Sequence, residues 1–98
     1  MRPDDKLFSV LRDYFQHQPV RRASLFGSVA RGKARRGSDV DILVWFDESV
    51  LLLQHARMQL ALSTLLKRKV DLISEGGLSP LLRPFIEEEA VLIYEKTA

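Results

Sequence analysis

Asp39 and Asp41 stand one residue apart at the head of an apolar run, "DVDILVWF", residues 39–46. On an extended chain, side chains i and i+2 point to the same side, roughly 6–7 Å apart along the strand. Two carboxylates so close repel each other unless a cation sits between them. Oxygen ligands in this arrangement suit Mg2+, which takes one or two carboxylates and leaves its other positions to water and substrate phosphates. Asp71, inside "KVDLIS" at 69–74, adds a third carboxylate if its strand neighbours the first. Three carboxylates can hold two metals, and two metals about 3.5–4 Å apart can stabilise both the attacking and the leaving oxygen of an in-line phosphoryl displacement.

A Gly27-Ser28 turn precedes the pair, separated from it by residues 29–38. Gly27 lets backbone approach a phosphate closely, and Ser28 with the amides that follow offers donors to it. Arg31, Lys33 or Arg36 can add positive charge, and Ser38 can brace the turn that aims Asp39 and Asp41. Each piece has a plainer reading alone. Asp-x-Asp is common in turns, Asp71 can be an edge-strand carboxylate paired with Arg68 or Lys69, and Trp45 reads as packing rather than base stacking. His17 and His55 are isolated and read as surface residues. The pattern Gly27-Ser28-x-x-Arg31-Gly32 followed by Ser38-Asp39-x-Asp41 is what carries specificity.

These residues need a scaffold. Leu7, Val10, Leu11, Tyr14 and Phe15 recur at helical spacing over residues 4–17, ahead of Pro19. Residues 20–26, bounded by Pro19 and Gly27, read as a strand, and residues 39–46 read as the strongest strand in the chain. Alternation puts Asp39, Asp41, Leu43 and Trp45 on one face and Val40, Ile42, Val44 and Phe46 on the core face. Residues 51–66 are helical with two apolar stripes, Leu51, Met58, Leu62 and Leu65 on one side and Leu53, Ala56 and Leu60 on another; either the first packs inward and the extra stripe meets another protein, or the helix is loosely amphipathic. A strand at 69–74 follows, and Gly76-Gly77 turns the chain. Ser79-Pro80 caps and opens a helix over 80–89, ending in Glu87, Glu88 and Glu89, and a last strand occupies 90–95. The expected fold is one small α/β (α+β) domain over residues 1–98, a four-stranded, mostly mixed sheet with helices packed on one face.

Composition bounds the rest. With 98 residues, 46% hydrophobic and 29% charged, the chain should fold as one compact unit. The net charge of +2 arises from clusters such as Arg21-Arg22 and Lys67-Arg68-Lys69, which suit phosphate-bearing ligands or a solvated surface. The absence of cysteine excludes disulfides and thiolate metal sites. Neither a signal peptide nor a membrane span of roughly 18 apolar residues is legible. The expectation is a cytoplasmic protein with no membrane partner.

At the residues quoted, the sequence resembles the minimal nucleotidyltransferase (MNT) family of the polymerase-β-like superfamily, marked by Gly-Ser, ten residues, then Asp-x-Asp. The likeness runs on through "RKVDLIS" and "GGLSP", so it covers nearly the whole chain. The resemblance implies a nucleotidyl transfer that depends on ATP and Mg2+. Asp39 and Asp41 would be ligands of both metals. Asp71 would be a ligand and the activator of the attacking hydroxyl, and Gly27, Ser28, Arg31 and Ser38 would form the nucleotide-binding side. Many such small proteins resemble antitoxins that neutralise a HEPN-domain ribonuclease toxin by placing AMP on one of its tyrosines. Larger relatives carry a second domain that closes over the substrate, so the acceptor is expected from a partner or on an open face. Two other readings stay open: a binding module that masks its partner without catalysis, and transfer to an RNA end or a small-molecule hydroxyl.

Overall fold

A computed structural model of the chain describes residues 5–27 and 39–96. The elements are α1 (Asp5–Phe15), β1 (Val20–Phe26), β2 (Val40–Phe46), α2 (Leu52–Leu66), β3 (Val70–Ser74), a 3-10 turn (Glu75–Gly77), α3 (Arg83–Glu89) and β4 (Val91–Glu95). The four strands form one mixed sheet in the order β3-β2-β1-β4. β1 runs antiparallel to both β2 and β4, while β2 and β3 are parallel. Two parallel neighbours need a crossover connection, and α2 provides it.

Pleating divides β2 between two environments. Val40, Ile42 and Val44 are fully buried and join Ala23 and Leu25 of β1, Val70 and Leu72 of β3, and Ile93 of β4 in one apolar cluster. α1 closes that cluster with Leu11 and Phe15, and α2 closes it with Met58 and Leu62. The expected core face of β2 is therefore the face that the two longer helices cover. On the opposite face Leu43 and Ser24 are also buried, and the short α3 brings Glu87 to a recess shared with Arg22, Ser24, Trp45, Ala90 and Leu92. Trp45 packs beneath Arg22, whose guanidinium carbon lies 4.7 Å from the ring centre. The packing role expected of Trp45 is what the fold gives it.

Two local expectations need correction. α3 begins at Arg83 rather than at Pro80. The Ser79 hydroxyl accepts from Leu81 N–H at 3.3 Å and the Ser79 carbonyl accepts from Leu82 and Arg83. Those bonds close an isolated turn, and Pro84 sits in the first turn of the helix proper. In α2, the expected inward stripe is only half inward: Met58 and Leu62 are buried, whereas Leu51 and Leu65 are 75% and 48% exposed. Polar side chains occupy part of the inward face instead, for a reason that lies in β3.

Candidate active site

Strand register assembles the carboxylates. Asp41 and Asp71 are direct partners across the parallel β2–β3 pair. Their side chains leave the same face of the sheet, with backbones about 4.8 Å apart. Both are half-buried. The neighbouring strand pair brings the glycine of the Gly-Ser turn to the same place, because Phe26, just before Gly27, is the antiparallel partner of Asp41. Gly27 adopts φ +76°, the left-handed region where a side chain is strained. A Cβ there would lie 3.3 Å from Asp41 Cγ and collide with Asp41 Oδ2. Only glycine lets the end of β1 lie against that carboxylate.

Asp39 sits one step outside β2, exposed, and its Oδ2 lies 3.9 Å from Lys69 Nζ. Lys69 thus pairs with Asp39, where the sequence suggested Asp71 as its partner. The three aspartates form an all-oxygen donor set, the chemistry that Mg2+ favours. Register places two of them side by side, and the third follows two residues along the same face. Among the described residues no three His, Cys, Asp or Glu side chains are gathered as a metal site, and Asp39 is turned to Lys69. The donors fit the ion in type and in face, provided Asp39 exchanges the lysine for it. Ser28, Arg31 and Ser38, expected on the nucleotide side, lie outside the described residues.

Sequence reasoning missed a row of polar side chains on α2. His55, Gln59 and Ser63, spaced by four, are neighbours along one side of the helix. His55 Nε2–H donates to Leu72 O at 2.6 Å, and Gln59 Oε1 accepts from Leu72 N–H at 2.9 Å. Ser63 Oγ accepts from Val70 N–H at 3.1 Å and donates to Gln59 O at 3.0 Å. His55 is therefore anchored rather than free on the surface. The spacing itself was the available signal: three hydrogen-bonding residues four apart, within a helix that precedes a short strand.

Both tyrosines lie on the other side of the sheet. Tyr94 partners Ala23 of the apolar cluster and stacks on Phe15 at 6.4 Å, while Tyr14 meets Phe15 edge-on at 5.5 Å. Burial pushes the Tyr14 phenol above its ordinary pKa. The chain's own phenols face away from its carboxylates.

The chain is similar to known proteins in sequence and in fold. The nucleotidyltransferase domain family matches residues 5–93. A candidate protein adenylyltransferase of Methanocaldococcus jannaschii is 43% identical over 72 residues, covering 74% of this chain and 77% of that protein. The protein adenylyltransferase MntA of Thermococcus cleftensis is 38% identical over 74 residues, covering 76% and 75%. Among solved structures, a candidate minimal nucleotidyltransferase superposes with a TM-score of 0.69 at 51% identity, over 85% of this chain and 84% of that one. A toxin–antitoxin complex with AMP-PNP gives a TM-score of 0.75 at 23% identity, over 98% and 76%. A tri-AMPylated HEPN toxin of Shewanella oneidensis with its MNT antitoxin gives 0.67 at 20%, over 95% and 70%. The last two likenesses establish the fold.

Proposed function

The chain belongs to the nucleotidyltransferase domain family, and from that premise we propose that it moves AMP from ATP to a hydroxyl of a partner protein, namely a tyrosine of a HEPN-type ribonuclease toxin, and so serves as its antitoxin. The observation that carries this reading is the convergence of Gly27, Asp41 and Asp71 at one end of the sheet. Relatives named as protein adenylyltransferases support the reaction class. The AMPylated toxin seen with a structural neighbour supports the acceptor, and the AMP-PNP complex supports ATP as donor.

In this mechanism the acceptor oxygen attacks the α-phosphorus of ATP. An O–P bond forms, the bond from that phosphorus to the bridging oxygen breaks, and pyrophosphate leaves. Asp71 takes the hydroxyl proton, and Gly27 with Ser28 holds the distal phosphates. Arg31 and Ser38 complete the nucleotide side. Mg2+, held by Asp39, Asp41 and Asp71, would neutralise charge on the phosphates as it is redistributed. The acceptor comes from another molecule, since Tyr14 and Tyr94 pack on the helix side of the sheet.

Intact mass spectrometry of the HEPN partner, incubated with this protein, ATP and Mg2+, tests the reading. One or more AMP additions are expected, absent with Asp39→Asn. A binding antitoxin that only masks its partner is the second reading, favoured by the exposure of Leu52 (86%), Leu53 (63%) and Leu60 (69%) on α2. It predicts neutralisation only at stoichiometric amounts, with no mass change.

A further inference from the structure

We propose that His55, Gln59 and Ser63 are positioning residues for Asp71, holding its backbone at the depth where its carboxylate can act together with Asp41. β3 lies at the edge of the sheet. One side of its backbone is bonded to β2, beginning with Val40 N–H to Lys69 O at 2.9 Å. In a parallel pair the residues that bond inward alternate with those whose amides and carbonyls point away. Here the outward residues are Val70 and Leu72, the two that flank Asp71. Each is bonded by the row on α2: Val70 N–H by Ser63, Leu72 N–H by Gln59 and Leu72 O by His55. The His55 ring also meets Phe46 edge-on at 5.8 Å, so the same residue touches the far end of β2.

An edge strand can be kept from pairing with other chains by a charge, a proline or a short length. Blocking alone does not require three side chains of fixed geometry aimed at the two residues beside one carboxylate. Side chains that share a ligand must be held to within about 0.5 Å of their working geometry, and an edge strand bonded on one side only is free to tilt away from its neighbour. The α2 row supplies the missing second side. The inference rests on the role proposed above for Asp71 and extends it to residues that touch neither nucleotide nor acceptor.

Gln59→Met removes one acceptor at nearly constant volume, Ser63→Ala removes the other, and Gln59→Glu and Ser63→Thr each keep an oxygen in place. Three quantities are measured on each variant: hydrogen exchange at the Val70 and Leu72 amides, Mn2+ affinity by electron paramagnetic resonance with a non-hydrolysable ATP analogue present, and kcat and KM for AMP transfer. In Gln59→Met and Ser63→Ala the expected result is faster exchange, Mn2+ affinity and kcat each lower by about tenfold, and an ATP KM close to that of the wild type. The oxygen retained in Gln59→Glu and in Ser63→Thr should restore both affinity and rate. Faster exchange with unchanged Mn2+ affinity would overturn the proposal and leave the row as an edge seal. If the wild type transfers no AMP, the proposed reaction fails by itself, and the Mn2+ comparison still decides the positioning role.

Discussion

The two faces of β2 have different occupations. Val40, Ile42 and Val44 are wholly buried against α1 and α2, and each would be equally at home in any apolar core. Asp41 and Trp45, one residue out of phase, are half-buried on the face that carries Asp71 and meets Gly27. Near the mouth, alternation lets β2 anchor the fold with Val40 and Ile42 and present the site with Asp41, while farther along the strand Leu43 is buried on the second face as well. The site gains rigidity this way, because Asp41 shares a backbone with fully buried residues. Substitutions should therefore separate by parity: odd positions near the mouth affect transfer, and even positions affect stability.

The largest effect tests the first half of that division. Asp41→Asn should lower AMP transfer by about 10²–10³-fold or more and leave the chain folded, because Asp41 lies at the end of β2 and outside the apolar cluster. Single-turnover labelling of the partner and a melting curve measure both. Loss of the fold in this variant would break the division. Ile42→Ala tests the other half. It should cost about 2–5 kcal/mol in urea unfolding, the range for a truncated core aliphatic, while the rate per folded molecule stays near wild type. A collapse of the rate at a temperature where the variant is folded would show that the two faces are coupled through the strand.

Much of this division is legible in the sequence because both its causes are local. β1 is bounded by Pro19 and Gly27 as expected, and β2 begins one residue later than its apolar run suggested, with Asp39 just outside. That Asp71 joins Asp41 depended on β3 being the neighbour of β2, and the register makes it so. The inward face of α2 was less legible. Hydropathy favoured Leu51 and Leu65, but the helix turns Gln59 and Ser63 to the sheet because the backbone of an edge strand demands bonding partners. That demand arises in tertiary structure, and no periodicity of apolar residues records it. The same holds for Lys69, whose choice of Asp39 over Asp71 depends on which end of the strand each occupies. Of the candidate nucleotide side, Gly27 is placed against Asp41, and Ser28, Arg31 and Ser38 fall outside the described residues.

Gly27→Ala brings the two strand ends into conflict and should act on both faces at once. Left-handed backbone costs a residue with a Cβ roughly 1–2 kcal/mol, and the new methyl would displace the Asp41 carboxylate. The expected outcome is a modest loss of stability together with a fall of about tenfold in transfer, set by how far Asp41 moves. Comparing the melting curve and kcat of Gly27→Ala with those of Asp41→Asn sharpens the comparison. An equal rate loss in the two would mean that the glycine acts wholly through the aspartate.

The smallest effect is expected at the mouth itself. Lys69 and Asp39 form an exposed pair, with side chains 70% and 50% accessible, and such pairs contribute about 0.2–1 kcal/mol. Lys69→Met should therefore leave the melting midpoint nearly unchanged. Its consequence should appear in ion binding, because in the absence of a divalent cation the lysine competes for the Asp39 oxygens. Freeing them should raise Mn2+ affinity by about 1.4- to fivefold, the same energy expressed as a ratio of dissociation constants. Salt screens an exposed pair, so the advantage of the variant should shrink as ionic strength rises. A fall in Mn2+ affinity would instead place the Lys69 ammonium among the groups that hold the nucleotide-bound state together. The mouth would then be built from both strand ends, with charge of both signs.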